Sequence, residues 1–380
     1  MKPLPTIVVS GYYGAGNAGD EAILSAMLAA LRAEIPGVEI IVLSRDPART
    51  AAEHGVEAAP RGLGRRLLAQ VKLLRRSDLL LCGGGGLLQD VYPARLLPAS
   101  VFYYLAVCLL AKLCGCRVMF YGQGIGPLRR RLARFLVRFA AERADLLAVR
   151  DPGSRDLLRG LGVRRPIHVT ADPVLAWRPE GRGVTAALGL SADRPFLAIS
   201  LRPWPEEESW LPAVARVADR AVRAWGMVPV FLPFARGVDA PVCGRARALM
   251  AEGGRAVLLP ELGPEELYEV VAAAGLVLGM RLHSLIFAAL ARVPMVGLAY
   301  DPKVAEFMTG LGLPEGAKPL GASEEELWAA VAAAREGREG IAARIDSSMR
   351  VLSDLALENA RLARGILFGT GSEEVMRAGD

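Results

Sequence analysis

Three kinds of cationic side chain crowd one short stretch, LVLGMRLHSLIFAALARVPMVGLAYDPK, which runs from Leu276 to Lys303. Arg281 and His283 stand beside Ser284 where an apolar, strand-like run passes into a helix-like one, and a second apolar run delivers Lys303. A helix N-terminus offers unpaired backbone N–H groups and the positive end of the helix dipole, so this layout suits an anion. A neutral imidazole there can donate to that anion or serve as a general acid or base near neutral pH. The competing reading is a packed histidine at an ordinary helix start. His168 in PIHVTAD and His54 in a polar loop read as packed or exposed histidines rather than catalysts.

Glycine-rich segments follow three of the apolar runs. In VVSGYYGAGNAGDEAIL, Gly14, Gly16 and their neighbours allow a tight turn and close backbone approach before a helix, and Asn17 adds a polar side chain. The segment departs from the dinucleotide fingerprint because tyrosines and Asn17 crowd it, and it lacks the Gly-Lys-Ser/Thr of a phosphate-binding loop. Asp20 and Glu21 suit the first turn of the helix as caps. LCGGGGLLQD places Gly84 and Gly85 within four consecutive glycines, an entropically costly run that suits close approach of a phosphate, a sugar or another part of the protein. YGQGIGPLRR repeats the design, with Gln123 as a candidate donor to hydroxyl groups. AVRDPGSRD ends a further apolar run on Arg150-Asp151. Arg150 could clamp a carboxylate or phosphate, or form an internal pair with an aspartate; chemistry alone leaves both open.

The elements that must position these residues alternate along the chain. Strands are expected at TIVVS from Thr6, VEIIVLS from Val38, DLLLCG from Asp78, RVMFYGQ from Arg117, DLLAVR from Asp145 and IHVTAD from Ile167. After a Pro-, Gly- and charge-rich linker from Trp177 to Pro195, the alternation restarts with FLAISLR, MVPVFLP, AVLLP, LVLGM and PMVGLAY. Continuous apolar strands separated by amphipathic helices indicate parallel sheets covered on both faces. The expected class is α/β: two doubly wound, Rossmann-like domains over residues 1–176 and 177–380, facing a cleft, with terminal helices. Ser323 and Glu326 form a capping-box pattern at the start of the last helical region.

Composition narrows the partners. At 380 residues, 52% hydrophobic and 23% charged, the chain suits two ordinary folded cores. Five cysteines in mostly apolar surroundings suit reduced core thiols, and Cys114 and Cys116 lack the second pair that a zinc site would need. No metal cluster is expected. The N-terminus has no signal-peptide layout, and ASVFYYLAVCLLAK, from Ala99 to Lys112, is too short to span a bilayer, so a cytoplasmic protein is expected. Net charge is +6, and basic residues concentrate in RGLGRRLLAQVKLLRRSD and RRRLARFLVR, each read as an amphipathic helix with a basic outer face. That face is either simply solvated or drawn to an anionic membrane or substrate. Nucleic acid is disfavoured because no aromatic stacking run or binding motif accompanies the charge.

In order along the chain, GYYGAGNAGDEAIL, GGGGLLQD, GQGIGPL, RDPGSRDLLRGLGV, ADPVL, SLRPW and GMRLHSLIFAALARVPMVGLAYDPKV resemble the polysaccharide pyruvyl transferases, most nearly the CsaB-type bacterial cell-wall branch. The resemblance implies a GT-B-like fold and transfer of pyruvate from phosphoenolpyruvate onto a sugar as a cyclic ketal, with release of phosphate. Phosphoenolpyruvate is then a co-substrate and no cofactor is required. The implied acceptor is β-N-acetylmannosamine on a lipid-linked precursor of the secondary cell-wall polysaccharide that anchors surface layers, which would bring peripheral contact with the inner face of the membrane. Arg150, His283 and Lys303 match basic residues that the family uses around phosphoenolpyruvate, and Asn17 and Asp20 match its amino-terminal signature. Arg150 and Lys303 are expected to hold anionic groups, assisted by Arg281. His283 would bind the departing phosphate or act as acid or base, with Asp20 as base for an acceptor hydroxyl. Ser284, Arg202, Gln123, Gly14, Gly16, Gly84 and Gly85 are expected around the substrates. Ala235 and Arg236 in PFARGVD depart from the family pattern, so the resemblance implies the chemistry but not the details of acceptor recognition. Two other functions compete: a glycosyltransferase using a nucleotide sugar, with Glu261 or Glu265 for the ribose, and a non-catalytic sugar-phosphate sensor.

Overall fold

The computed structural model describes residues 4–90, 99–190, 195–204 and 209–369, without the side chains of Arg65, Ala99 and Ser100. Two compact units emerge. The first comprises Met1–Ala15, Asp20–Trp177 and Leu352–Asp380, and the second comprises Gly16–Gly19 and Arg178–Val351. One boundary between the units falls at Trp177, and the last helix is divided between them. Residues 191–194 of the expected linker lie outside the described residues.

The first unit alternates β1 (Thr6–Ser10), α1 (Ala18–Glu34), β2 (Glu39–Ser44), α2 (Pro47–His54), β3 (Glu57–Pro60), α3 (Leu67–Arg75), β4 (Leu79–Leu88) and α4 (Ala99–Leu113). It continues with β5 (Arg117–Ile125), α5 (Arg131–Ala141), β6 (Leu146–Val149), α6 (Pro152–Gly160) and β7 (Ile167–Val169). All seven strands are parallel, in the order β3-β2-β1-β4-β5-β6-β7. Every residue of β1 is buried, as a β-branched run covered on both faces must be. Each such side chain contributes on the order of 2 kcal/mol of transfer free energy. Helices α3 to α6 pack together over one face, through Leu73, Leu105, Val137 and Leu158 against Leu80, Phe120 and Leu147.

The second unit contains α7 (Val184–Ala187), β8 (Phe196–Ser200), α8 (Leu211–Trp225), β9 (Val228–Phe231), α9 (Ala240–Ala248), β10 (Val257–Leu258), α10 (Pro264–Ala273) and β11 (Leu276–Gly279). It then runs through α11 (Leu282–Ala291), β12 (Met295–Ala299), α12 (Pro302–Gly310), β13 (Ala317–Pro319), α13 (Glu324–Glu336) and α14 (Arg338–Phe368). Its parallel sheet has the order β10-β9-β8-β11-β12-β13, the doubly wound arrangement of a Rossmann sheet. Ser323 caps α13 as the sequence signals, exchanging hydrogen bonds with Glu326. From Leu352 onward α14 clusters with the first unit, where buried Asn359 bonds Thr170 Oγ1 at 2.9 Å and the Ala171 carbonyl at 3.1 Å.

Candidate active site

In a doubly wound sheet, ligands bind where loops leave the carboxyl ends of the strands, so each unit is described at that edge. In the second unit, Arg202 follows β8, Arg281 and His283 follow β11, and Lys303 follows β12; these three strands are neighbours, with β11 in the middle. His283 is the second residue of α11, at a helix N-terminus as the sequence predicts, and Lys303 is the second residue of α12. Asp301 caps α12, accepting the Lys303 backbone N–H at 3.2 Å.

Arg202 and Lys303 meet on Tyr300, a residue the sequence reading did not single out. The Arg202 guanidinium donates to the Tyr300 hydroxyl at 3.0 Å and lies 4.9 Å from its ring centroid. The Lys303 ammonium lies 5.2 Å from the same centroid and 3.6 Å from the Asp301 carboxylate. Trp204 packs edge-on against Tyr300 with centroids 4.6 Å apart. Burial pushes the Tyr300 phenol up, but Lys303 and Arg202 outweigh it, and its pKa lies below the ordinary value of tyrosine. The one available signal was position: Tyr300 is the last residue before the Asp-Pro-Lys helix start, at a strand exit.

Arg281 has a different task from the one expected. Its guanidinium forms a two-pronged pair with Asp239, whose carboxylate also accepts the N–H groups of Phe234 and Ala235. Asp239 is fully buried, so Arg281 braces the loop after β9. Ser284 is likewise fully buried, and its hydroxyl donates to the Arg281 carbonyl at 2.6 Å. Its one proton is engaged at the helix start.

The segment Gly16–Gly19 lies along that braced loop. Asn17 pairs with Ala235 in an antiparallel bridge, Arg236 N donates to Gly16 O at 2.8 Å, and Ala18 N donates to Phe234 O at 2.9 Å. Asn17 Oδ1 accepts Gly19 N at 3.0 Å, the geometry of a helix cap, so Asn17 fills the role expected of Asp20 and Glu21. Gly16 has φ +76°, and a Cβ on Gly19 would stand 2.2 Å from His283 Nδ1. The motif is glycine-rich here because protein backbone and the His283 ring approach it.

At the edge of the first unit's sheet, Gly14 has φ +67°, and a Cβ there would sit 2.1 Å from Ser44 Oγ. Glu21 is buried under the same loop, accepting Gly14 N at 2.9 Å and facing His54 Nε2 at 3.2 Å. Glu21, Glu53 and His54 bring one potential metal-ligand atom each within 4.8 Å of one another, yet Glu53 is paired with Arg49 at 2.7 Å. The group works as a latch on the glycine loop.

The four-glycine run is not a loop but part of β4, which continues through it with Gly84 and Gly85 at φ +79° and +80°. A Cβ at Gly83 would meet Tyr121 O at 2.3 Å, and one at Gly84 would meet Ile23 at 2.1 Å, so close packing within the unit accounts for both. A Cβ at Gly85 would stand 3.3 Å from Asp20 Oδ1. Gln123 is fully buried and donates from Nε2 to the carbonyls of Gly85 and Gly124, both at 2.8 Å. Its donor capacity ties two strand exits together and is not directed at a hydroxyl of a substrate.

Arg150 settles between two aspartates, 3.0 Å from Asp151 and 3.6 Å from Asp172, the internal pairing that the sequence left open. Gly124 makes room for it, since a Cβ there would stand 2.7 Å from the guanidinium carbon. The buried carboxylates of Asp172 and Asp239 were not anticipated, because an aspartate in sequence does not show which arginine it will meet.

Two Rossmann-like units, each a parallel sheet alternating with helices, define a GT-B-type fold. Residues 17–302 match the family model for polysaccharide pyruvyl transferase, and the chain belongs to that family. Solved structures agree on the fold. A Listeria monocytogenes protein assigned as a UDP-N-acetylglucosamine 2-epimerase gives a TM-score of 0.68 at 13% identity, covering 97% of this chain and 98% of that one. S. aureus MnaA, solved with UDP, gives 0.67 at 14%, covering 97% of each chain. A glycosyltransferase of Rickettsia africae gives 0.61 at 10%, covering 96% and 99%. Identities this low show the fold alone.

Proposed function

We propose that the protein is a CsaB-type pyruvyl transferase that moves pyruvate from phosphoenolpyruvate to two hydroxyls of one sugar, forming a cyclic ketal and releasing phosphate. The observation that carries this reading is the convergence of Arg202 and Lys303 on the Tyr300 hydroxyl, with His283 opening the helix that follows the strand between theirs. Phosphoenolpyruvate bears a carboxylate and a phosphate on the same carbon framework. Two side-chain cations and two helix N-termini are suited to that charge distribution. Donors fixed where charge develops usually contribute the largest catalytic term.

In this mechanism the methylene carbon takes a proton, C2 becomes oxocarbenium-like, and an acceptor hydroxyl adds to it as its own proton passes to a base. Phosphate then leaves C2, and the second hydroxyl closes the ring with loss of its proton. Tyr300, with its lowered pKa, is the proposed proton donor to the methylene carbon, and Arg202 and Lys303 stabilise the phenolate that results. His283 receives the departing phosphate or exchanges a proton with it. On the first unit, Asp20 is the proposed base for an acceptor hydroxyl, and Arg150 is a cation whose two carboxylate partners fix its orientation. Arg281 acts through the loop it braces. No resident cofactor is needed, because the enol phosphate itself supplies the activated carbon.

The proposed acceptor is a β-linked N-acetylmannosamine on a lipid carrier, and the proposed setting is the cytoplasmic side of the membrane during synthesis of a surface-layer-anchoring polysaccharide. Both ribose candidates of the nucleotide-sugar alternative have partners within the protein. Glu261 accepts Gly237 N and lies 3.4 Å from Arg236, while Glu265 pairs with Arg182. Incubation with phosphoenolpyruvate and a synthetic β-N-acetylmannosaminide should release phosphate and yield a pyruvylated sugar by mass spectrometry. Release of nucleoside diphosphate from a nucleotide sugar, with phosphoenolpyruvate left intact, would favour the glycosyltransferase. Binding of phosphoenolpyruvate without phosphate release with any acceptor would favour the sensor.

A further inference from the structure

Six of the eleven large apolar side chains most exposed among the described residues belong to three adjacent helices of the first unit, α3, α4 and α5. These helices form one layer, since they pack side by side over the same face of the sheet. Leu68 is 83% exposed and Phe135 60%, levels at which burial in the protein's own core does not explain an apolar residue. Leu67, Phe102 and Leu132 accompany them.

Charge within the three helices is basic, and acidic partners stand only at their ends, where Glu57 lies 3.8 Å from Arg76 and Asp145 lies 2.7 Å from Lys112. Arg66, Lys72 and Arg76 are exposed on or beside α3, and Arg131, Arg134 and Arg138 are exposed on α5. None of the three helices contains an aspartate or glutamate. The middle helix, α4, carries no charged side chain before Lys112. An apolar helix flanked by two basic ones is the arrangement that lets side chains enter the acyl boundary while cations remain among anionic headgroups. A second copy of the same face would meet like charge with like charge, which disfavours self-association.

Position adds a second argument. Every helix that follows a strand of a parallel sheet starts at the carboxyl edge. Five of the six, Leu67, Leu68, Phe102, Leu132 and Phe135, occupy the N-terminal halves of their helices, and therefore lie toward the edge where ligand loops leave the sheet, whereas Leu113 ends α4. A cavity of about 290 Å³ lies beside α3, floored by Leu43, Ala59 and Leu73 and bordered by Arg66, Arg76 and Glu57. Gln70 lines it and is nearly fully buried.

We infer that the α3–α5 layer is a docking face for an anionic lipid bilayer, with α4 lying in the interface plane and basic side chains on either side. No described helix is long and apolar enough to cross a membrane, so the contact is peripheral. The inference goes beyond pyruvyl transfer, and its test requires neither phosphoenolpyruvate nor turnover. The full chain is floated with vesicles of phosphatidylcholine alone and of phosphatidylcholine with phosphatidylglycerol. Binding is expected only to the anionic vesicles, with release at high salt. Leu68→Ser combined with Phe135→Ser should weaken partition about tenfold. Arg66→Gln and Arg134→Gln should each weaken it roughly fivefold. All four side chains are exposed, so thermal unfolding should not change.

Failure of the parent protein to float with anionic vesicles at low salt would overturn the inference. So would parent-like binding by the serine double variant. If light scattering instead shows a dimer that the serine variant dissociates, the face joins two copies of the chain. A soluble acceptor glycoside should be pyruvylated equally by parent and variants, which separates failure of the membrane face from failure of the proposed chemistry.

Discussion

The two sheets present opposite electrostatic designs at their carboxyl edges. In the first unit one guanidinium, Arg150, stands between two carboxylates, Asp151 and Asp172. In the second unit two cations, Arg202 and Lys303, stand around one phenol and one carboxylate, Tyr300 and Asp301. By formal charge the first cluster is net negative and the second net positive. Arg281 and Asp239 illustrate the first design within the second unit: a cation matched by a buried carboxylate holds structure. A basic residue at a strand exit therefore does not announce a ligand site until its partners are known.

The largest effects should fall on the net-positive cluster. Lys303→Ala or His283→Ala should reduce kcat/KM for phosphoenolpyruvate by about a thousandfold or more, measured by phosphate release, with an unchanged unfolding midpoint. Near-parental turnover in either variant would break the comparison. Tyr300→Phe should lower kcat by about a hundredfold and leave KM for phosphoenolpyruvate nearly unchanged.

The same residue has a pH signature. The folded-state pKa of Tyr300 is depressed, so its phenol loses its proton below the usual tyrosine range, and proton donation fades as pH rises through that value. The parent should show an alkaline fall in kcat and an early tyrosinate absorbance, both absent in Tyr300→Phe. In Lys303→Ala the tyrosinate should appear at higher pH, since one of the two lowering charges is gone.

Stability should report the other design. Asp239→Asn, which leaves Arg281 without its carboxylate in a nearly buried site, should destabilise by about 3 kcal/mol in denaturant unfolding. Arg150→Gln should also lower stability, by about 2 kcal/mol, because two carboxylates lose their cation. If instead phosphoenolpyruvate binding collapses while stability is untouched, Arg150 faces the substrate and the contrast between the units is too simple. A smaller loss, about 1 kcal/mol, is expected for Ser323→Ala at the α13 cap, with no change in activity.

Eleven strands were legible because each is a run of β-branched or aliphatic residues that a buried parallel strand requires. The two that were missed, β3 and β13, are sheet edges written EAAP and AKP. An edge strand needs little apolar content, and charge or proline there blocks further pairing. Among the candidate residues, His283 was visible through the strand-to-helix change of period around it, and Lys303 through the apolar run that precedes it. Tyr300, Asp239 and Asp172 were not, because their significance rests on partners far away in sequence. The glycine runs were visible as glycine runs, but their cause was not: Gly84 yields to Ile23, Gly14 to Ser44, and Gly124 to Arg150.

The sequence by itself determined two parallel α/β sheets, the helix start that carries His283, the Ser323 cap and the basic character of α3 and α5. All of these are local: periodicity, propensity and capping act over a few residues. Only the tertiary structure decided which cations meet carboxylates and which meet a phenol, that Asn17 rather than Asp20 caps α1, and that the apolar side chains of three separate helices share one face. Those outcomes depend on strand order and on contacts between distant segments, where a hydrogen bond or an ion pair has no imprint until the chain has folded.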